Sequence, residues 1–155
     1  MPPSPLLNHP DPARRRWMAV LARAAGEEIA ARLAACGGLP DYTRLRGPEN
    51  GLVMVRGRAG GAGAAFNLGE MTVTRCSVRT SQGLIGHAYV AGRNDRQAEL
   101  AALADAMLQD PKQRPALLEA VIAPLEAAQR ARRRDLAAKA SATRVEFFAM
   151  RTMRS

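Results

Sequence analysis

The chain has 155 residues, of which 47% are hydrophobic but only 4% aromatic, and its formal net charge is +9. This length predicts a single domain, and the composition predicts a core of aliphatic side chains and alanine. No apolar stretch approaches the roughly 20 residues of a membrane-spanning helix, so we expect no membrane segment. Cys36 and Cys76 lack metal-ligand spacing, and we interpret them as reduced thiols in a cytoplasmic protein.

Arginine supplies nearly all of the positive charge, since Lys112 and Lys139 are the only lysines. Guanidinium groups favour bidentate contacts with phosphate and carboxylate groups. Three interpretations stay open here: arginines that replace lysines on a solvated surface, a surface for an acidic protein partner, and a site for a polyanionic ligand.

The first third of the domain has the apolar spacing of helices. Asp11 followed by Pro12 predicts a helix start, because aspartate caps the first turn and proline suits its first position. Gly26 is expected to weaken or break the helix, and Gly37 with Gly38 to end it. We therefore expect one broken helix or two short ones, with an apolar stripe of Trp17, Val20, Leu21, Ala24, Ile29 and Leu33.

The middle third alternates apolar and polar residues, as strands do. Pro48 is expected to separate a short strand before it from a clearer strand after it. The segment Ser81–Gly83 is short and contains glycine, which suits a hairpin. These features predict an antiparallel meander of three or four strands, at residues 42–46, 51–58, 70–79 and 84–90.

The last third returns to helical spacing. Asn94 has the spacing of a capping box and opens a helix that Asp110 and Pro111 end. A second helical stripe begins near Pro115, and Pro124 is expected to kink it. Beyond this point the sequence is mostly alanine and arginine, and such a helix gains little from the core of its own domain.

The C-terminal segment contains two of the three phenylalanines of the chain, although aromatic residues are scarce. Burial of each would stabilise the protein by roughly 1.5–3 kcal/mol. Either the segment folds back on the domain or a partner chain covers it, and we favour the partner. The predicted docking residues are Arg144, Phe147, Phe148 and Met150.

Together these patterns predict an α+β fold with N-terminal helices, a three- to four-stranded antiparallel β-meander and long C-terminal helices. Residues 1–11 lack the basic and apolar segments of a secretory signal. We expect them to be a disordered leader. Residues 12–155 are expected to form a single α+β domain with a C-terminal docking helix and tail.

A glycine-rich stretch joins the second and third predicted strands, with Gly57, Gly60, Gly61 and Gly63 beside Arg56 and Arg58. It matches neither a P-loop, since no lysine is near, nor the dinucleotide pattern G-x-G-x-x-G. We interpret it as a flexible connection, with a phosphate or partner contact as the alternatives. Arg56 and Arg58 could be brought together with Arg75 and Arg79 by strand pairing, and would then need acidic neighbours or an anionic partner.

Catalytic patterns are absent from the sequence. We interpret Cys76 as a small core residue and His87 as a structural or partly exposed histidine. No H-x-E, C-x-x-C, H-E-x-x-H or G-x-S-x-G motif is present, and no metal site is expected. An independent small enzyme that uses Cys76 and His87 remains as an alternative.

Several short motifs in a fixed order resemble one protein family. They are R16-W-M-A-V-L-A22, R56-G-R-A-G-G-A-G63, T74-R75, G92-R93, D105-A-M-L-Q109, I122-A-P-L125 and R144-V-E-F-F-A-M150. In this order they resemble the G subunits, PhnG, of the bacterial carbon–phosphorus lyase core complex. The resemblance runs from about residue 13 to about residue 151.

This resemblance implies a non-catalytic scaffolding subunit. In that family the G subunit assembles with H, I and J subunits, two copies of each, and contacts the I subunit most directly. The I subunit, with G, H and L, joins a phosphonate to the ribose of a nucleoside triphosphate and displaces the base. The J subunit later breaks the carbon–phosphorus bond with an iron–sulfur cluster and S-adenosylmethionine. No cofactor in this chain itself is implied.

A nucleic-acid- or polyanion-binding domain is the alternative from another class, suggested by the net charge. The sequence lacks the aromatic platform that single-strand binders use and any recognisable DNA-binding motif. We therefore expect no nucleic-acid partner.

Overall fold

The computed structural model describes residues 11–58 and 63–143. Its elements follow the predicted α+β order of helices, antiparallel strands and helices. They are α1 (Pro12–Leu21), α2 (Gly26–Ala35), β1 (Tyr42–Arg58), β2 (Ala65–Thr80), β3 (Ile85–Ala91), α3 (Asp95–Leu108), α4 (Arg114–Leu117), a π-helical turn (Leu118–Ile122) and α5 (Ala123–Ala142). The predicted leader at residues 1–10 and the docking residues from Arg144 onward lie outside the described residues.

Two short helices form in the first third of the domain, which confirms one of the two expectations for this segment. The Asp11 side chain accepts a hydrogen bond of 3.0 Å from the Ala13 N–H, which caps α1. Gly26 is the first residue of α2. The Gln97 side chain from α3 donates to the carbonyls of Ala22 and Ala24, at 3.2 and 2.7 Å. It therefore satisfies backbone acceptors at the break between the helices.

The sheet has three antiparallel strands in the order β1-β2-β3. The expectation that Pro48 separates two strands was wrong, because β1 is continuous from Tyr42 to Arg58. Pro48 lies where the register with β2 shifts, between Arg46 and Glu49. A bulge on an edge strand accommodates a residue without an N–H group, so the strand continues past the proline.

The pairing between β1 and β2 extends over many more residues than the pairing between β2 and β3. β3 pairs with β2 only over Val73–Arg79, whereas β1 pairs with β2 from Tyr42 to Arg58. Residues 51–58 and 65–72 therefore continue past the end of β3 as a two-stranded ribbon, which we call the β arm.

Helix α3 packs across one face of the sheet and is buried from Leu100 to Leu108. Gly86 in β3 makes the close approach possible, because an added Cβ would overlap the carbonyl oxygen of Ala102 and the amide of Ala106. The core on this face contains the predicted stripe of α1 and α2 together with Cys76, Val78, Ala88 and Val90.

The C-terminal helical segment changes character along its length. The π-helical turn ends just before Pro124, which occupies the first turn of α5. A wider turn is a common accommodation where a proline removes a regular helical hydrogen bond. Leu125 is buried, but every residue of 130–143 is exposed in the described chain. The prediction that this part has little core to join is confirmed. None of the described helices has the length and apolarity needed to cross a bilayer.

Candidate functional site

A polar cluster with several hydrogen bonds surrounds Asp105, whose side chain is completely buried. Arg14 donates two hydrogen bonds to its carboxylate, from Nε at 3.1 Å and Nη2 at 2.8 Å. The Trp17 indole N–H donates at 2.8 Å and the His87 backbone N–H at 3.0 Å. With four donors the buried charge is well satisfied, so the cluster joins α1 and β3 to α3.

Arg114 extends this cluster towards the C-terminal helices. Its guanidinium carbon lies 5.6 Å from the centroid of the Trp17 ring, which is cation–π geometry. The same side chain donates to the carbonyls of Leu108 and Gln109, at 2.8 and 3.2 Å. These carbonyls belong to the last turn of α3, where positive charge is favourable. The cluster is structural, because its polar atoms are engaged in hydrogen bonds that hold the helices together.

A second cluster joins β1 to α3 through Glu99. Arg44 donates to this carboxylate at 2.6 and 2.9 Å, and the Tyr42 hydroxyl donates at 2.8 Å. The hydrogen bond from Arg44 lowers the pKa of Glu99 below its ordinary value. Desolvation by burial, followed by the hydrogen bond to Glu99, raises the pKa of Tyr42. Glu99 is therefore held ionised as a structural ion pair.

The structure separates Cys76 from His87. Cys76 is buried and pairs with Ala88, whereas His87 pairs with Ser77. Successive residues of a strand point to opposite faces, so the thiol and the imidazole are on opposite sides of the sheet. Burial raises the pKa of the Cys76 thiol, which disfavours the thiolate. The alternative of an independent enzyme that uses this pair is contradicted, and Cys76 is a core residue as predicted.

The alternative in which strand pairing brings Arg56, Arg58, Arg75 and Arg79 together is not observed. Arg56 and Arg58 pair with Asn67 and Ala65 at the far end of the β arm, whereas Arg75 pairs with Glu49. At strand geometry the two ends lie about 20 Å apart. Arg56 and Arg58 are exposed and alternate with the half-buried Val55 and Gly57 at this end of β1. The exact register of the hairpin could not be read from the sequence.

Arg75 donates to the Glu49 carboxylate at 3.2 Å, so its charge is compensated within the sheet. Gly63 lies in the exposed turn that leads into β2. Gly60 and Gly61, predicted as contact residues with it, lie outside the described residues, as do Arg144, Phe147, Phe148 and Met150. Their predicted roles as contact residues remain predictions.

Arginines stand at the start of α1, where positive charge opposes the helix dipole, and their role was not predicted from the sequence. Arg14 pairs with Asp105, and Arg16 donates to Glu126 at 2.6 Å. The available signal was Asp105 itself, a single aspartate within the apolar stripe of α3. An ionised group at a core position needs a partner, and an arginine elsewhere in the chain supplies it.

Comparison with known proteins decides the family. Residues 12–152 match the family model described as "Phosphonate metabolism protein PhnG". The chain belongs to the PhnG family. It is also 45% identical, over 140 residues, to a protein of Rhizobium meliloti (strain 1021) named "Alpha-D-ribose 1-methylphosphonate 5-triphosphate synthase subunit PhnG". That alignment covers 88% of this chain and 87% of the relative. The family resemblance seen in the sequence motifs is confirmed over nearly the whole chain.

Proposed function

We propose that this chain is a scaffolding subunit of a carbon–phosphorus lyase core complex. It supports the step that joins a phosphonate to the ribose of a nucleoside triphosphate, which forms a ribose 1-methylphosphonate 5-triphosphate. The observation that carries the proposal is the 45% identity to a named subunit of that synthase along almost the full length of both chains. An identity of this extent along both chains indicates that they share a fold.

The arrangement of polar side chains supports a structural role. Asp105 and Glu99, two acidic residues of α3, are each paired with an arginine of the same chain. No cluster of His, Cys, Asp and Glu within residues 11–58 and 63–143 has the arrangement of a metal site. In this proposal the reaction chemistry belongs to the partner subunits, and this chain positions them.

The partners in this proposal are the H, I and J subunits, with I in the most direct contact and two copies of each subunit in the complex. The complex consumes a nucleoside triphosphate, and the J subunit holds the iron–sulfur cluster and S-adenosylmethionine. We place the assembly in the cytoplasm, where nucleoside triphosphates are supplied. Arg144, Phe147, Phe148 and Met150 would contribute to docking, with α5 leading the chain to them.

Co-expression of the subunits tests the proposal. The tagged chain should elute with H, I and J as one high-mass assembly, and release of the base from a nucleoside triphosphate in the presence of phosphonate should require it. A chain that elutes alone, beside partner subunits that release the base at full rate without it, would contradict the proposal.

The alternative that Arg56 and Arg58 contact substrate phosphates can be tested in the same assembly. A variant with both residues changed to alanine should bind the triphosphate more weakly if the guanidiniums reach it. The matched control is Arg23→Ala/Arg93→Ala, which removes two arginines outside the β arm. Unchanged triphosphate affinity in an intact complex would remove phosphate contact and leave partner contact as the role of Arg56 and Arg58.

A further inference from the structure

The β arm has free hydrogen-bonding edges on both sides. β1 is an edge strand of the sheet, and β2 pairs with β3 only over Val73–Arg79. No other strand among residues 11–58 and 63–143 covers either edge. An isolated two-stranded ribbon is only marginally stable in water, and uncovered edges readily pair with another chain. The geometry therefore leaves the β arm incomplete in the isolated chain.

Apolar side chains are exposed on both faces of the β arm. Five of the nine large hydrophobic side chains exposed in the described residues belong to it: Leu52, Met54, Phe66, Leu68 and Met71. Leu68 is 61% exposed and leans over Gly57, where an added Cβ would overlap its Cδ1 atom. Exposed apolar side chains gathered in one place mark interaction sites, whereas scattered ones do not.

The charges of the β arm indicate what kind of surface covers it. Arg56 and Arg58 stand at its far end, and neither forms an ion pair within the described part of the chain. Glu70 is the only acidic residue of the two segments. A surface that covers the arm must combine apolar contacts along its length with acidic groups near its end.

We propose that the β arm inserts into an apolar groove on another protein subunit of the complex, with acidic side chains at the rim of the groove. The apolar side chains enter the groove, and Arg56 and Arg58 pair with the rim. A second copy of this chain suits the surface less well, because each copy has a net charge of +9 and would repel the other. This inference rests on the proposed function, since it assumes that partner subunits exist.

The test compares two double variants in the full chain, co-expressed with the H, I and J subunits. Phe66→Ser/Leu68→Ser removes apolar surface from the β arm. Leu39→Ser/Leu45→Ser is the matched control, because Leu39 and Leu45 are similarly exposed, at 49% and 46%, but lie outside the arm. Both variants replace exposed side chains, so thermal unfolding of each isolated chain checks that the body still folds.

The arm variant should bind its partners at least about tenfold more weakly, as expected for loss of central interface anchors. The control should co-elute like the parent chain. A third variant, Arg56→Gln/Arg58→Gln, should weaken binding at low salt and reduce its dependence on salt concentration.

Each result has a definite meaning. Parent-like co-elution of the arm variant would overturn the inference while leaving the proposed function intact. A parent chain that never co-elutes would overturn the proposed function and the inference with it. If the isolated parent is a dimer that the arm variant converts to a monomer, and partner binding is unchanged, the arm binds a second copy and the partner groove is wrong.

Discussion

The body of the domain and its two projections, the β arm and residues 130–142 of α5, differ in how far their side chains are buried. In the body, formed by α1, α2, α3 and the sheet up to β3, even the buried carboxylate of Asp105 has four donors. Among the described residues, no buried polar side-chain atom lacks a hydrogen-bond partner. The β arm and residues 130–142 of α5 instead leave apolar and basic side chains exposed.

This difference indicates that the body determines the stability of the isolated chain and that the projections determine its assembly with partners. Substitutions in the body should change the free energy of unfolding of the isolated chain, and substitutions in the projections should change binding to partners. A scaffolding subunit needs both properties, because its body must hold the projections in a fixed relation.

The largest effect on stability is expected for Asp105→Ala. It leaves the Arg14 guanidinium and the Trp17 and His87 N–H groups without their acceptor, so unfolding should become easier by about 3–5 kcal/mol. Urea unfolding of the isolated chain measures this. Glu27→Ala is the control, because Glu27 forms an exposed pair with Arg96 and should contribute at most about 1 kcal/mol. Equal effects of the two substitutions would contradict a structural centre at Asp105.

Gly86→Ala should be the next most damaging substitution. Its Cβ would overlap backbone atoms of α3, so helix and sheet must separate at a cost of about 1–3 kcal/mol. Gly47→Ala is the matched control, because no atom lies within 4 Å of a Cβ added there. Thermal unfolding should distinguish the two variants, and a Gly86→Ala chain as stable as the parent would show that the approach of α3 is not tight.

A smaller effect, confined to acidic pH, is expected for Glu99. Its pKa in the folded chain lies below the ordinary value of 4.5 because Arg44 donates to the carboxylate. The ionised form therefore stabilises the fold above pH 4.5, and this contribution is lost as the pH falls through the folded-state pKa. The difference in urea midpoint between the parent and Glu99→Gln should be present at pH 7 and shrink at pH 3. A difference independent of pH would refute the ion pair as its cause.

The smallest effect on the isolated chain is expected for Leu136→Ser. Leu136 is 68% exposed on the projecting part of α5, so the free energy of unfolding should change by less than about 0.5 kcal/mol. Urea unfolding measures this directly. A larger loss would mean that the helix end packs on the body, which would remove one of the two projections.

The sequence predicted the order of elements well because local signals dictate them. The Asp11 cap, the alternation in β2 and the stripe of α3 each lie within one segment. The sequence did not predict the features that depend on pairing between distant segments. Pro48 is tolerated because β1 is an edge strand, and Arg56 is far from Arg75 because of the hairpin register. The partners of Arg14 and Asp105 are likewise far apart in sequence, so only the fold brings them together.

The most direct test of the division between body and projections is amide hydrogen exchange, measured by segment on the isolated chain and on the assembled complex. We expect residues 51–58, 65–72 and 130–142 to gain protection on assembly, while α3 and β3 should exchange as slowly in both samples. The opposite result would be a β arm and residues 130–142 that exchange equally fast in both samples, with protection gained in the body alone. That result would contradict the division between body and projections.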